Sequence, residues 1–336
     1  MMEPIDFVVT WVDGNDPKWQ SERERFLPEN RTDITKENRY RDWGLMKYWF
    51  RGVEKYAPWV RNIFFVTNGQ VPKWLNTNHP KLKLIQHADY IPKQYLPTFN
   101  SNMIELWLHR IPELSEHFVL FNDDTFVVAP VEKEDFFKNG LPCEAALLDT
   151  IASWEPENCF AHTILNNFAI INKHFDKREV IRKNAKKFFA LKYGKDLLRN
   201  ICLLPFQHFS CFRDSHLPAA LLKSTYEKVW RLEGEQLERR GTNRFRSSED
   251  LTQWLMKSWQ ICEGNFVVRS TTWGHYFDLG HDSIDEICQS IEQNKYRAIC
   301  LNDSDGKMEF EKIQHRLIKS FELILSKQSG FEKEGL

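Results

Sequence analysis

Apolar runs that stop abruptly at turn-forming residues organise the first part of the chain. Phe7 to Val12 is apolar and β-branched, and it ends in Asp13-Gly14-Asn15-Asp16-Pro17. Val and Thr favour a pleated strand, while Asp, Gly, Asn and Pro each favour turns. Charged residues over 18–38 then predict a helix or a loop. Within Asp42 to Tyr56, Leu45, Tyr48, Trp49 and Val53 recur at helical spacing before Pro58. Asn62 to Pro72 reads as a strand running into a turn, Leu82–Gln86 as a short strand, and Ser101–His109 as a helix ending near Pro112. His117–Phe121 is a buried strand that meets Asn122-Asp123-Asp124, and Thr125–Val128 continues apolar.

Strand alternating with helix is the rhythm of a mostly parallel α/β sheet with crossover helices. From about Thr163 the pattern becomes mainly helical. Lys177–Leu191 places Ile181, Ala185 and Phe188 on one face, and Ser248–Trp259 looks helical. Phe310, Ile313, Leu317, Phe321 and Ile324 form a stripe stopped by Gly330. The reading is one α/β domain over 1–270 with a helical insertion around 163–240. A helical extension over 271–336 follows.

Composition narrows the function. The chain has 336 residues with 46 basic and 47 acidic, a net charge of −1. That balance argues against a polyanion partner, nucleic acid included. Aromatic residues make up 14%, with 12 Trp. A large core explains them first, and a carbohydrate or nucleotide cleft second. Seven scattered Cys form no Cys-x-x-Cys pair, which predicts reduced thiols in a cytoplasmic protein. No signal-peptide pattern and no apolar run near the roughly 20 residues of a membrane span is visible. The expectation is a soluble or peripheral protein.

Three local patterns could carry chemistry. The adjacent carboxylates Asp123 and Asp124 follow an apolar strand directly, and such a pair needs a cation or strong donors. Oxygen ligands suit Mg²⁺ or Mn²⁺, which bridge to substrate phosphates. Because successive strand side chains alternate, one Asp would bind the metal directly. A helix cap or an Asx turn at Thr125 is the plain alternative. His216, in Asp214-Ser215-His216-Leu217-Pro218 before an expected helix, could be a general base, though any one of eleven His is more commonly structural. Arg246 precedes an expected helix that Ser247 or Ser248 could cap, an arrangement that suits an anion as well as it suits a solvated capping box. Asp13 and Gly14 form either the floor of a site or a solvated turn. Between Lys173 and Arg199 stand ten basic residues against three acids, a solvated face or a docking face for anionic lipid or glycan.

Together these segments resemble the Stealth family of sugar-1-phosphate transferases, which includes bacterial capsular polysaccharide phosphotransferases and the lysosomal-targeting N-acetylglucosamine-1-phosphotransferase. The matching blocks are Ile5–Trp19, Arg39 through Arg51 and Glu105 to Asp124, the surroundings of His216-Leu217-Pro218, and Phe245-Arg246-Ser247-Ser248-Glu249-Asp250. The resemblance implies a Rossmann-like, nucleotide-sugar-transferase-like sheet. It implies transfer of hexose-1-phosphate from a nucleotide sugar to a hydroxyl of a polysaccharide or oligosaccharide acceptor. UMP would leave a UDP-linked donor, such as a UDP-N-acetylhexosamine. The family's acidic pair maps onto Asp123 and Asp124 as the metal site, its His onto His216 and its Arg onto Arg246. His216 would deprotonate the acceptor or hold the phosphate. Asn100, Asn122, Arg51 and Asp250 would help bind the donor. Asp13 falls where some relatives carry Asn, and with Gly14 it would wall the nucleotide. Rivals are a metal-dependent glycosyltransferase and a non-catalytic glycan-binding protein. Peripheral contact with the inner membrane is a further expectation.

Overall fold

A computed structural model describes residues 3–28, 40–153, 159–304 and 309–335. Strands β1 (Ile5–Thr10), β2 (Ile63–Thr67), β3 (Leu82–Gln86), β4 (His117–Phe121), β5 (Thr125–Val127), β6 (Ala219–Leu222), β7 (Gly274–Asp278) and β8 (Ala298–Asn302) carry the fold. The principal helices are α1 (Pro17–Phe26), α2 (Met46–Tyr56), α3 (Ser101–Leu106), α4 (Cys159–His174), α5 (Lys223–Gly241), α6 (Trp254–Glu263), α7 (Ile284–Glu292) and α8 (Phe310–Ile324). The helix or loop expected over 18–38 is seen as α1. Positions 29–39 lie outside the described residues.

The central five-stranded sheet runs β6-β4-β1-β2-β3. β1 pairs in parallel with β2 and β4, β2 with β3, and only β6 is antiparallel. The unbroken apolar runs follow from burial of both faces. Phe7, Val9, Phe65, Val119 and Phe121 point to a core built with α2 and α8. Val8, Phe64, Val66, Phe118 and Leu120 alternate to the other face, against residues of α3, α4, α5 and α6. A Cβ at Gly52 would sit 2.7 Å from the Val127 carbonyl oxygen, so glycine there lets α2 lie directly on β5.

Three expectations need correction. The segment 271–336 holds α7 and α8 but also β7 and β8, which form a second sheet with β5. Ala298–Leu301 is a buried apolar run, too short to show a period. The helix expected over Lys177–Leu191 breaks at Asn184 into Lys177–Lys183 and Ala185–Phe188. The helix expected from Ser248 begins only at Trp254, because the backbone N–H of Ser247 donates to Asp250 and holds the preceding residues in a turn. Among the described residues no helix is long and apolar enough to cross a membrane, and Cys143, Cys202, Cys211, Cys262, Cys288 and Cys300 are free thiols.

Candidate active site

Chain order reverses between β1 and β4: β2 and β3 lie to one side, β4 and β6 to the other. In open α/β sheets such a switch point leaves a crevice outside the carboxyl ends of the strands. A cavity of about 280 Å³ occupies it, bounded by Trp11 and Val12 after β1 and by Asn122, Asp123 and Asp124 after β4. Asn302, the last residue of β8, and Asp303 after it close the same space. Aromatic residues Trp11, Trp19, Tyr40, Trp43 and Phe99 line it alongside Asp42, Glu105, Asp123 and Asp124. The lining offers flat faces on which a ring can stack together with acidic groups.

The acidic groups are poorly compensated. Asp123 is exposed to the cavity, yet protein crowds it on its other sides. That enclosure, reinforced by the charges of Asp124 and Asp42, pushes its pKa up to about 7. Glu105, on α3, is buried; desolvation, opposed by Arg246 and aided by Asp124 and Asp123, pushes its pKa up to about 8. Asp124 Oδ1 is buried and has no hydrogen-bond partner among the described residues. An unsatisfied buried carboxylate oxygen demands an explanation.

The side chains around that oxygen could hold a cation. The ligand atoms of Asp124, His216 and Cys300 lie within 4.8 Å of one another. Burial and the Asp124 charge push the Cys300 thiol well above its usual range. It therefore keeps its proton and donates it to Asp124 Oδ2 at 3.4 Å. With the thiol so engaged, the Asp124 oxygens and the His216 ring nitrogen are the atoms left that could hold a cation, and carboxylate oxygens are the donors that suit Mg²⁺ or Mn²⁺.

His216 Nε2 stands 3.6 Å from Asp124 Oδ2 and 3.4 Å from Asn122 Nδ2, and its Nδ1 is 3.9 Å from Asp214 Oδ2. Its φ is +45°, a left-handed conformation uncommon for a non-glycine residue and concentrated at functional sites. Behind it, buried Lys257 donates to Asp214 at 3.2 Å and pairs with Glu144 at 3.3 Å. Arg246 lines the cavity and donates to Ser101 Oγ at 2.8 Å. It is braced by its neighbour Phe245, which stacks on Phe99 at 5.3 Å. Trp19 joins this small core, on a helix whose start is capped by Asp16.

Residues 3–31 match the model of Stealth protein CR1, conserved region 1, and residues 39–143 that of Stealth protein CR2, conserved region 2. The chain is 44% identical over 335 residues to the capsular polysaccharide phosphotransferase WcwK of Streptococcus pneumoniae, covering 99% of each chain. It is 41% identical over 337 residues to the receptor polysaccharide phosphotransferase WefC of Streptococcus gordonii, covering 99% of this chain and 100% of that one. The chain belongs to the Stealth family. The exopolysaccharide phosphotransferase cps2G of Lactiplantibacillus plantarum is 40% identical over 331 residues, covering 98% of this chain and 96% of that one.

The second conserved Stealth region contributes Asp42, Glu105, Asp123 and Asp124 to the cleft, whereas His216 and Arg246 come from beyond both matched regions. Asp123 and Asp124 both line the cavity, against the expectation that strand alternation would part them. They lie in a turn, closed by Thr125 N–H donating to the Asn122 carbonyl at 3.1 Å. His216 precedes β6, not a helix. Arg246 lies by the start of α3, not at the helix that follows it.

Several expected donor-binding residues play other parts. Asn100 and Asp250 are fully buried and bond to each other at 2.8 Å. Asn102, Asn243 and the Ser247 N–H also donate to Asp250. This clasp holds the Arg246 loop against α3. Arg51 makes a bidentate pair with Glu332, 2.7 Å on each arm, tying α2 to the C-terminal segment. Asp13 accepts from the Asn15 N–H of its own turn at 2.9 Å. A Cβ at Gly14 would lie 2.0 Å from the Tyr40 carbonyl oxygen. The close approach glycine permits is thus to Tyr40, where a nucleotide had been expected.

Glu105 was overlooked as a site residue, although a lone acid in Met103-Ile104-Glu105-Leu106-Trp107 is a buried-charge signal. Arg41 and Asp303 were overlooked as well. They pair at 3.2 Å, and Trp43 Nε1 also donates to Asp303 at 3.1 Å. No local pattern could have joined positions so far apart in sequence.

Proposed function

We propose that the cleft transfers hexose-1-phosphate from a nucleotide sugar, UDP-linked in the first instance, to a hydroxyl of a capsular or exopolysaccharide acceptor. The single observation that carries this reading is the unsatisfied Asp124 oxygen beside His216, at the end of the strand that flanks the switch point. The family relatives support the reaction class, being phosphotransferases of capsular, receptor and exopolysaccharides. Asp124, with Asp123 beside it, would hold Mg²⁺ or Mn²⁺, which supplies charge neutralisation for the diphosphate.

The acceptor hydroxyl oxygen attacks the sugar-bearing phosphorus, and its proton passes to His216 Nε2. The bond from that phosphorus to the bridging oxygen breaks, and a nucleoside monophosphate leaves with the electron pair. A phosphodiester remains. Arg246, which lines the cavity, neutralises charge that builds on non-bridging and leaving oxygens. Glu105 stays near that guanidinium and holds its proton up to about neutral pH. Trp11, Trp19 and Tyr40 supply flat faces for the nucleobase or sugar ring.

Incubation with UDP-N-acetylglucosamine, an oligosaccharide acceptor and Mg²⁺ tests the reading through the nucleotide product. UMP with a phosphodiester-linked product is expected. Release of UDP would make the enzyme a glycosyltransferase, and saccharide binding without nucleotide release would make it a lectin.

A further inference from the structure

Residues 191–206 present a set of apolar side chains that the fold does not use. Leu191 is 89% exposed, Leu198 63% and Phe206 60%, with Ile201 and Leu204 also exposed. They stand on a 3-10 turn (Leu191–Asp196), a short helix (Leu197–Leu203) and the turn after it. A contiguous group of large exposed apolar residues marks an interaction surface, since single ones alone are ordinary.

The inward side of the same segment is firmly built. Tyr193, buried, accepts from the Ala146 N–H at 2.9 Å. Asn200, fully buried, accepts from the Leu148 N–H at 2.6 Å and donates to the carbonyls of Ala146 and Phe188 at 2.8 and 2.6 Å. Lys177 donates to the carbonyls of Leu203 and Phe206 at 2.6 and 2.9 Å. The apolar tips are therefore held outward by a satisfied polar anchor. They are not a frayed piece of core.

Charge says what covers them. Lys192 and Lys195 are exposed among the apolar residues, whereas the charge of Arg199 is met by Asp149. Asp196, the acid of this stretch, is neutralised by Arg213 at 2.8 Å. The wider basic run over Lys173–Arg199 is not a uniform face, because Lys177 and Lys187 turn inward onto backbone carbonyls. Arg178, Arg182, Lys186, Lys192 and Lys195 stay exposed, so the run keeps positive charge outside, and its last two members stand among the projecting apolar side chains.

We propose that residues 191–206 dock the protein on the surface of a bilayer containing anionic lipid. Leu191, Leu198 and Phe206 enter the interface, and Lys192 and Lys195 meet the headgroups. Short amphipathic elements with basic flanks bind membranes in this way. Side chains that stand out of the surface as far as Leu191 would each need a matching pocket on a protein partner, whereas lipid requires no such shape.

Flotation of the full chain with vesicles tests the proposal independently of catalysis. Wild type should associate with phosphatidylglycerol-containing vesicles at least about tenfold more than with pure phosphatidylcholine. A Leu191→Ser, Leu198→Ser, Phe206→Ser variant should lose that association with its circular dichroism and melting unchanged. Lys192→Glu with Lys195→Glu, a purely surface change, should lose the preference for anionic vesicles. No association at low salt, equal association with both vesicles, or a triple variant that floats like wild type would each overturn the proposal. So would wild-type dimers in lipid-free light scattering that the triple variant abolishes, since the patch would then be covered by a second copy.

Discussion

Asp250 in the clasp and the acids of the cleft are treated in opposite ways. Asp250, in the clasp, accepts from Asn100, Asn102, Asn243 and the Ser247 N–H, so both of its oxygens are occupied. In the cleft, Asp124 keeps an oxygen without a partner, and Asp123 and Glu105 are pushed up to about 7 and about 8. A structural acid is satisfied by its own fold. Unsatisfied acids that repel one another are costly, and they persist where a cation or substrate completes them.

The sharpest way to break the comparison is Asp124→Ala. Turnover should fall by roughly 10²–10³ or more, with the melting temperature unchanged or raised, because a repelling charge has gone. A fully active variant in a UMP-release assay would sink the assignment.

Glu105→Gln comes next, and its sign is set by linkage. An ordinary Glu titrates at 4.5, and Glu105 in the fold at about 8. Below the lower value both states hold the proton. As pH rises through the window the unfolded chain ionises first, so folding stability falls by up to about 1.4 kcal/mol per pH unit, levelling off above the upper value. The glutamine should flatten this slope and be favoured over wild type more at pH 8 than at pH 5 in urea titrations. Parallel curves would show that Glu105 is already ionised in the folded cleft.

Asp250→Ala should act on the clasp. Leaving buried amides without their acceptor costs about 1–3 kcal/mol, and releasing the Arg246 loop should lower turnover in the fraction that remains folded. Loss of stability with turnover per folded molecule intact would show that the clasp does not position Arg246. Asp13→Asn should do least, within about 0.5 kcal/mol in stability, because an amide oxygen can keep the bond to the Asn15 N–H. A large loss of activity there would return the first turn to the chemistry.

Much of this contrast was legible in the chain. Asn122-Asp123-Asp124 after an apolar strand announced the acidic end of β4, because turn chemistry and strand burial are local properties. His216 and Arg246 were marked by their blocks. Their neighbours were not: Glu105 sits inside an apolar helix, and Arg41 meets Asp303 across most of the sequence. Asn100 and Asp250, read as donor contacts, became a clasp because burial decides whether a polar side chain faces ligand or protein.

By itself the sequence determined strands β1 to β4, their carboxyl-end turns, the acidic doublet and the α8 stripe. Each depends on the period and residue type of a short segment. Only the tertiary structure decided which polar groups meet. It turned both Asp123 and Asp124 into one cavity, assigned Arg51 to Glu332, drew Lys177 and Lys187 inward, and left Leu191 and Phe206 outside. Those outcomes depend on burial and on contacts between segments far apart in the chain, and neither is written in a local pattern.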